Sequence, residues 1–283
     1  MRFIRFRHQD GTVHTGVREG ARVRDLGMHD PLAAVTAQQL ASAPWLDFEE
    51  STLEVPLPSV GKVLALAGNY GKHVAESGFT GPSGGVWTPQ IFWKPSSSLL
   101  RPGGTVGLRA KNIFFDWEAE LAVVIGKRAR DVKAEDAMHH VFGYSIVNDL
   151  SERRYNAEIE HRDKRDFDPF FDWLMGKWFD GSAPLGPELV TADEIEDPSD
   201  LDLKLWLNGE LMQDSNTRNM IFKIPETIAA LTAVMTLDPG DVIAMGTPEG
   251  VGFARGRALR PGDHLRAQIA GLGHLDTYVG EQA

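Results

Sequence analysis

An α+β, mostly β fold is predicted for this 283-residue chain, and three features predict it. Beyond residue 62, short apolar runs are punctuated by turn signals: Pro102-Gly103-Gly104, Asn208-Gly209, Pro239-Gly240-Asp241 and Pro261-Gly262-Asp263. Such spacing suits strands better than a βαβ repeat. Residues 3–26 alternate apolar and polar positions around Asp10-Gly11 and Glu19-Gly20, the pattern of a small meander. Hydrophobic residues make up 42% of the chain and glycines number 29, so a sizeable core is available and disorder is excluded as a description of the whole.

In chain order, the meander is followed by a short helix over residues 31–43 and a proline-bearing linker over 55–60. This gives a small β-rich N-terminal domain over residues 1–56 and a larger body over 57–283. A helix from Ala134 carries His139 and His140 on positions that face apart, so a shared metal site there is not expected. Residues 158–172 are dense in charge and read as an exposed loop or lid.

Composition narrows function. The net charge is −11 with no basic run longer than two residues, which argues against nucleic acid and anionic membranes as partners. The absence of cysteine excludes disulfides, thiolate nucleophiles, iron–sulfur clusters and Cys-type zinc sites. No apolar run reaches membrane-spanning length and the N-terminus lacks a signal-peptide core, so a soluble, cytoplasmic enzyme is expected. No Gly-x-Ser-x-Gly, phosphate loop or dinucleotide fingerprint is present.

Chemistry concentrates in five places. Residues 114–126 read as one strand, with Trp117, Ala119, Leu121, Val123 and Ile125 on one face and Asp116, Glu118, Glu120, Ala122 and Val124 on the other. Carboxylates at i and i+2 stand roughly 6.6 Å apart along a strand and can converge on one cation. They either line an acidic edge or share that cation; the apolar continuation on the same face favours entry into a core. Asp149, ending the run 141–149, is an Asx turn or a third oxygen ligand. Three carboxylates suit Mg²⁺, Mn²⁺ or Ca²⁺ rather than zinc or copper. In Gly68-Asn69-Tyr70-Gly71-Lys72-His73-Val74-Ala75-Glu76, a helical turn puts Glu76 beside His73, a pair able to deprotonate water. The surrounding glycines suit a lid. Lys94 and Lys177 stand among apolar residues and either snorkel to solvent or meet an anion. Thr247 lies in a Gly- and Pro-bounded loop whose amides and hydroxyl suit a carboxylate or a plain turn.

Taken in order, these segments resemble the fumarylacetoacetate hydrolase family. The matching pieces are Asn69-Tyr70 with His73 and Glu76, Phe92-Trp93-Lys94-Pro95, Asp116-Trp117-Glu118-Ala119-Glu120, Asn148-Asp149, Lys177-Trp178-Phe179-Asp180, Gln213-Asp214-Ser215-Asn216-Thr217 and Gly246-Thr247-Pro248, spanning residues 60–280. The resemblance implies a mixed β-roll or β-sandwich catalytic domain with a small N-terminal domain, usually as a homodimer. It implies Mg²⁺ or Mn²⁺ held by Glu118, Glu120 and Asp149, with Ca²⁺ as a crystal substitute. It further implies His73, Glu76 and Lys177 as catalytic residues and Lys94, Gln213 and Thr247 as contacts to a small anionic 2-oxo acid. The implied activity is acylpyruvase-like C–C bond hydrolysis of 2,4-dioxo acids, because several non-hydrolytic relatives lack the His–Glu pair. The alternatives are an oxaloacetate-type decarboxylase, or an isomerase or hydratase of aromatic degradation. A non-catalytic module binding a metal and an anion is a reading of another class. Ser151-Glu152-Arg153-Arg154 and the long spacing from Asp149 to Lys177 depart from the family pattern and alter the wall near the substrate tail.

Overall fold

The computed structural model describes residues 1–78, 87–109, 113–156 and 161–281. It is mostly β, as expected. A large mixed sheet runs in the order Trp45–Asp47, Arg22–Asp25, Val13–Glu19, Arg2–Arg7, Ala183–Thr191, Val141–Asn148, Ala119–Ile125, Val242–Ala244, Val63–Ala67 and Gln90–Lys94. Leu53–Glu54 adds to Arg2–Arg7, and Leu99–Leu100 to Ala183–Thr191. A second, five-stranded sheet runs Glu210–Asn216, Asp202–Leu207, His264–Ile269, Gly273–Glu281 and Thr105–Leu108.

The N-terminal meander forms as read. Its strand Arg2–Arg7 also pairs antiparallel with Ala183–Thr191, at Arg2↔Val190 and Phe3↔Leu189, so the meander continues the sheet of the body. A further strand, Trp45–Asp47, closes its edge. The helix expected over 31–43 is shorter, Ala37–Ser42, because Thr36 caps it: the Thr36 side chain accepts from Gln39 N while Thr36 N donates to Gln39 Oε1.

Ala119–Ile125 is buried throughout, between Val141–Asn148 and Val242–Ala244. Its faces separate as the alternation requires. Ala119, Leu121, Val123 and Ile125 join the core containing Leu203, Leu205, Leu265 and Leu275 of the second sheet, while Ala122 and Val124 pack with Phe3, Leu185 and Leu189. A Leu or Ile buried this way contributes about 1.5–3 kcal/mol. The single strand read over 114–126 is corrected. The chain makes a short strand Phe115–Asp116, breaks at Trp117 and Glu118, and resumes at Ala119. The cause lies across the sheet: the Asn148 side chain takes the Glu118 N–H (2.9 Å), a bond that a regular ladder gives to backbone.

Residues 157–160 of the charged segment lie outside the described residues, as do 79–86 next to the expected lid. The rest of the charged segment is only partly loop. Asp168–Met175 is a helix, and Arg162 and Arg165 fold back onto Asp168 (3.2 and 2.9 Å). No helix among the described residues is long and apolar enough to cross a membrane.

Candidate active site

The break at Trp117 and Glu118 builds the site. It brings Glu118 and Glu120 beside Asp149, which follows the neighbouring strand, and one oxygen from each lies within 4.8 Å of the others. All three are buried, at 4%, 1% and 1% exposure, so the acidic-edge reading is excluded. Asp149 N donates to Glu118 O (2.8 Å), fixing the two positions to each other.

Both lysines are buried and meet these anions; neither snorkels. Lys177 Nζ donates to Glu118 Oε2 (2.7 Å) and Asp149 Oδ2 (2.6 Å), and Lys94 Nζ donates to Asp149 Oδ1 (2.6 Å). A third cation was missed from the sequence. Arg153 donates to Asp116 Oδ2 (2.9 Å) and to Glu118 Oε1. It arrives because Phe115–Asp116 pairs antiparallel with Ser151–Glu152, a register between distant segments. Asp116 takes no part in the triad. It accepts from the backbone of Gly252 (2.6 Å) and Phe253 (3.0 Å) and anchors the start of the short helix Gly252–Arg255.

Charge is unevenly met here. Burial opposes ionisation of Glu118, but Arg153 and Lys177, with His73 further off, hold it well below the usual carboxylate range. Burial pushes Glu120 well above its ordinary value, and the charges of Asp149 and Glu118 push it further. Burial also lowers Lys94, against the attraction of Asp149. It opposes the charge of Lys177 too, yet Asp149 and Glu118 keep that lysine above its ordinary value.

His73 and Glu76 share the helix Gly71–Glu76, and His73 Nδ1 stands 2.9 Å from Glu76 Oε1. The loop 246–250 serves both halves of the site. Gly246 N donates to Glu120 Oε2 (2.7 Å), and Gly250 N donates to Glu76 (2.9 and 3.1 Å to its two oxygens). Both glycines have positive φ, +83° and +98°. A Cβ at 246 would fall 2.7 Å from Asn69 Cβ, and one at 250 only 2.2 Å from Met212 O. The amides of this loop therefore hold carboxylates of the protein itself. Asn69 locks the same loop, donating to Met245 O (2.7 Å) and Phe222 O (3.1 Å).

Gln213 and Thr247 sit directly behind the triad. Ala119 N donates to Gln213 Oε1 (3.0 Å), Thr247 Oγ1 donates to Ala119 O (2.9 Å), and Gln213 Nε2 donates to Thr247 Oγ1 (2.8 Å) and Pro248 O (2.9 Å). Glu118, Glu120, Asp149, Lys94, Lys177, Gln213 and Thr247 thus gather around one stretch, Glu118 to Glu120, and the His73–Glu76 pair is tied through Gly250 N to the loop that also holds Glu120.

The fold and the order of these segments define the class: the chain belongs to the fumarylacetoacetate hydrolase family. The family pattern described as Fumarylacetoacetate (FAA) hydrolase C-terminal matches residues 62–280. Among relatives, the mitochondrial oxaloacetate tautomerase fahd2 of Xenopus laevis is 33% identical over 305 aligned residues, covering 99% of this chain and 90% of its own. Two of the solved structures that match over the full length of both chains are these. A fumarylacetoacetate hydrolase from the psychrophilic Exiguobacterium antarcticum is 31% identical with a TM-score of 0.82. A maleylpyruvate hydrolase from Sphingobium sp. SYK-6, in complex with manganese (II) ion and pyruvate, is also 31% identical with a TM-score of 0.76. By these names, the relatives include hydrolases and a tautomerase.

Proposed function

We propose that this chain is a divalent-metal-dependent hydrolase that cleaves a C–C bond in a small 2,4-dioxo acid of acylpyruvate or fumarylpyruvate type. The observation that carries the reading is the His73–Glu76 pair at 2.9 Å, with Glu76 held by Gly250 N of the same loop whose Gly246 N holds Glu120.

Glu118, Glu120 and Asp149 fit Mg²⁺ or Mn²⁺. Their donors are all hard oxygens within 4.8 Å, and Glu120 is left with excess negative charge around it. The buried Tyr70 hydroxyl, which feels the charge of Glu120, has no hydrogen-bond partner among the described residues. A hydrated cation would satisfy both. Bound there, such a cation acts as a Lewis acid toward the carboxylate and 2-oxo oxygens of the substrate.

The chain's own residues then do the following. Glu76 fixes one nitrogen of His73, leaving the other to take a proton from water. The hydroxide oxygen adds to C4 of the dioxo acid, and Lys177 offsets the negative charge growing on the C4 oxygen. The C3–C4 bond breaks with its electron pair going to C3, which takes the proton from His73. The products are pyruvate and a carboxylic acid.

The tautomerase relative, aligned over 99% of this chain, favours a second reading: an oxaloacetate-type decarboxylase, tautomerase or isomerase that uses the carboxylate site without an activated water. Assays of acetylpyruvate and oxaloacetate, side by side with Mn²⁺, separate the two. Acetylpyruvate is expected to be the better substrate, and His73→Ala is expected to slow its hydrolysis about 10²–10⁴-fold with Mn²⁺ still bound. Full hydrolysis by His73→Ala defeats the role of the His–Glu pair, and turnover of oxaloacetate alone defeats the hydrolase reading. No turnover of any dioxo acid, with metal bound, supports the non-catalytic module.

A further inference from the structure

The strand Val242–Ala244 stops short of the site. It pairs with Ala119–Ile125 only from Ala122↔Ala244 to Val124↔Val242, and one further bond, Met245 N to Leu121 O (2.9 Å), extends that edge. Backbone groups alternate between the two edges of a strand. Glu118 turns its N–H and C=O to the Asn148–Asp149 side, while Ala119 and Leu121 turn theirs to the side where the partner strand has run out. The backbone between two triad carboxylates therefore lies beyond the end of its ladder.

Two side chains complete it. Gln213 Oε1 accepts from Ala119 N, Thr247 Oγ1 donates to Ala119 O, and Gln213 Nε2 closes the ring onto Thr247 Oγ1. A bulge aims Gln213 inward. Opposite the strand Asp202–Leu207, the register passes from Leu205↔Gln213 to Trp206↔Leu211 and leaves Met212 as an extra residue. Both side chains are buried, at 0% and 3% exposure. Their donors are also spent: a primary amide has two N–H, here given to Thr247 and Pro248, and a threonine has one O–H, here given to Ala119.

We infer that Gln213 and Thr247 are positioning residues that hold the backbone at Ala119, and so set the separation and direction of Glu118 and Glu120, rather than substrate contacts. The inference rests on the proposed metal role of the triad.

Mn²⁺ titration of metal-stripped protein in the absence of substrate tests it. Gln213→Met and Thr247→Val nearly preserve shape and remove the ring. Each is expected to weaken Mn²⁺ binding about 10–100-fold, the usual cost of losing a group that orients a ligand. The double variant is expected to be little worse than either single one, because one ring is broken once. Thr247→Ser keeps the hydroxyl and should retain wild-type affinity, which also controls for misfolding. Substrate contacts would behave in the opposite way: Mn²⁺ affinity within twofold of wild type and weaker binding of oxalate to the Mn²⁺-loaded protein. That result overturns the inference. Glu120→Gln in the same titration separates the two readings. Its loss of Mn²⁺ binding with Gln213→Met unaffected sinks the positioning role alone, and its retention of Mn²⁺ sinks the metal role of the triad.

Discussion

Among the described residues, two places bring three candidate ligand atoms within 4.8 Å: Glu118, Glu120 and Asp149 in the large sheet, and His8, Asp10 and His14 at the end of the first hairpin. They differ in whether the charge of their groups is matched. In the hairpin, Asp10 Oδ1 accepts from Thr12 N (2.9 Å) and Thr12 Oγ1 (2.6 Å), and His14 Nδ1 stands 2.9 Å from Asp25 Oδ2. The rings of His8 and His14 stack at 4.4 Å with 4° between their planes. An imidazole lone pair lies in its ring plane, so two parallel stacked rings cannot both aim at one ion. In the sheet, four buried carboxylates, counting Asp116, meet three cations among the described residues, Lys94, Lys177 and Arg153. Nearness of donors is common to both clusters. What marks the second is charge left unmet where water cannot screen it.

The largest effect should follow from removing that charge. Glu120→Gln keeps an oxygen for the Gly246 amide but loses the anion. Mn²⁺ affinity is expected to fall at least about 100-fold and turnover of acetylpyruvate to fall with it, measured by titration and by pyruvate release. Binding of Mn²⁺ within threefold of wild type would erase the contrast between the two clusters.

The next effect is on stability. Lys94→Met removes one of two ammonium groups bonded to Asp149 and is expected to cost about 3–5 kcal/mol, read from the urea midpoint. A bound divalent cation stabilises the folded state and supplies positive charge. Saturating Mn²⁺ should therefore recover part of the loss, which sharpens the claim that the site is short of cations. An equal loss with and without Mn²⁺ would show that Lys94 acts through packing.

How far these contrasts could be read from the sequence follows from where each cause lies. The pair Glu118 and Glu120 was legible because Leu121 to Ile125 continue it with an unbroken apolar run, and such a run buries whatever precedes it. His73 and Glu76 were legible for a similar reason, since a spacing of three on a helix is local. Arg153 was not. It reaches Glu118 only because Phe115–Asp116 pairs with Ser151–Glu152, and a register between segments 37 residues apart along the chain leaves no periodic trace. The interruption at Trp117 and Glu118 depends likewise on one amide side chain, Asn148, from another strand. The helix Asp168–Met175 was masked by the charges that precede it: Arg162 and Arg165 read as a solvated run until their partner Asp168 is seen.

The smallest effect belongs to the hairpin. Replacing His8 and His14 together with Gln removes the stacked pair and the His14–Asp25 contact and leaves the sheet ladder intact, since Phe6↔His14 pairing is made by backbone. His8 is half-exposed and His14 lies near the surface, so the change in stability should stay within about 1 kcal/mol. Turnover and the amount of Mn²⁺ bound should match wild type, because the hairpin cluster has no unmet charge to attract a cation. The measurement is metal content after loading and desalting, together with the rate on acetylpyruvate. A loss of one bound metal ion per chain would mean that the rings swing out of their stack to meet a cation, and that neutral donors at the surface compete with the buried carboxylates of the core. Equal metal content, set beside the loss caused by Glu120→Gln, would show that burial and unmet charge decide where this chain binds its metal.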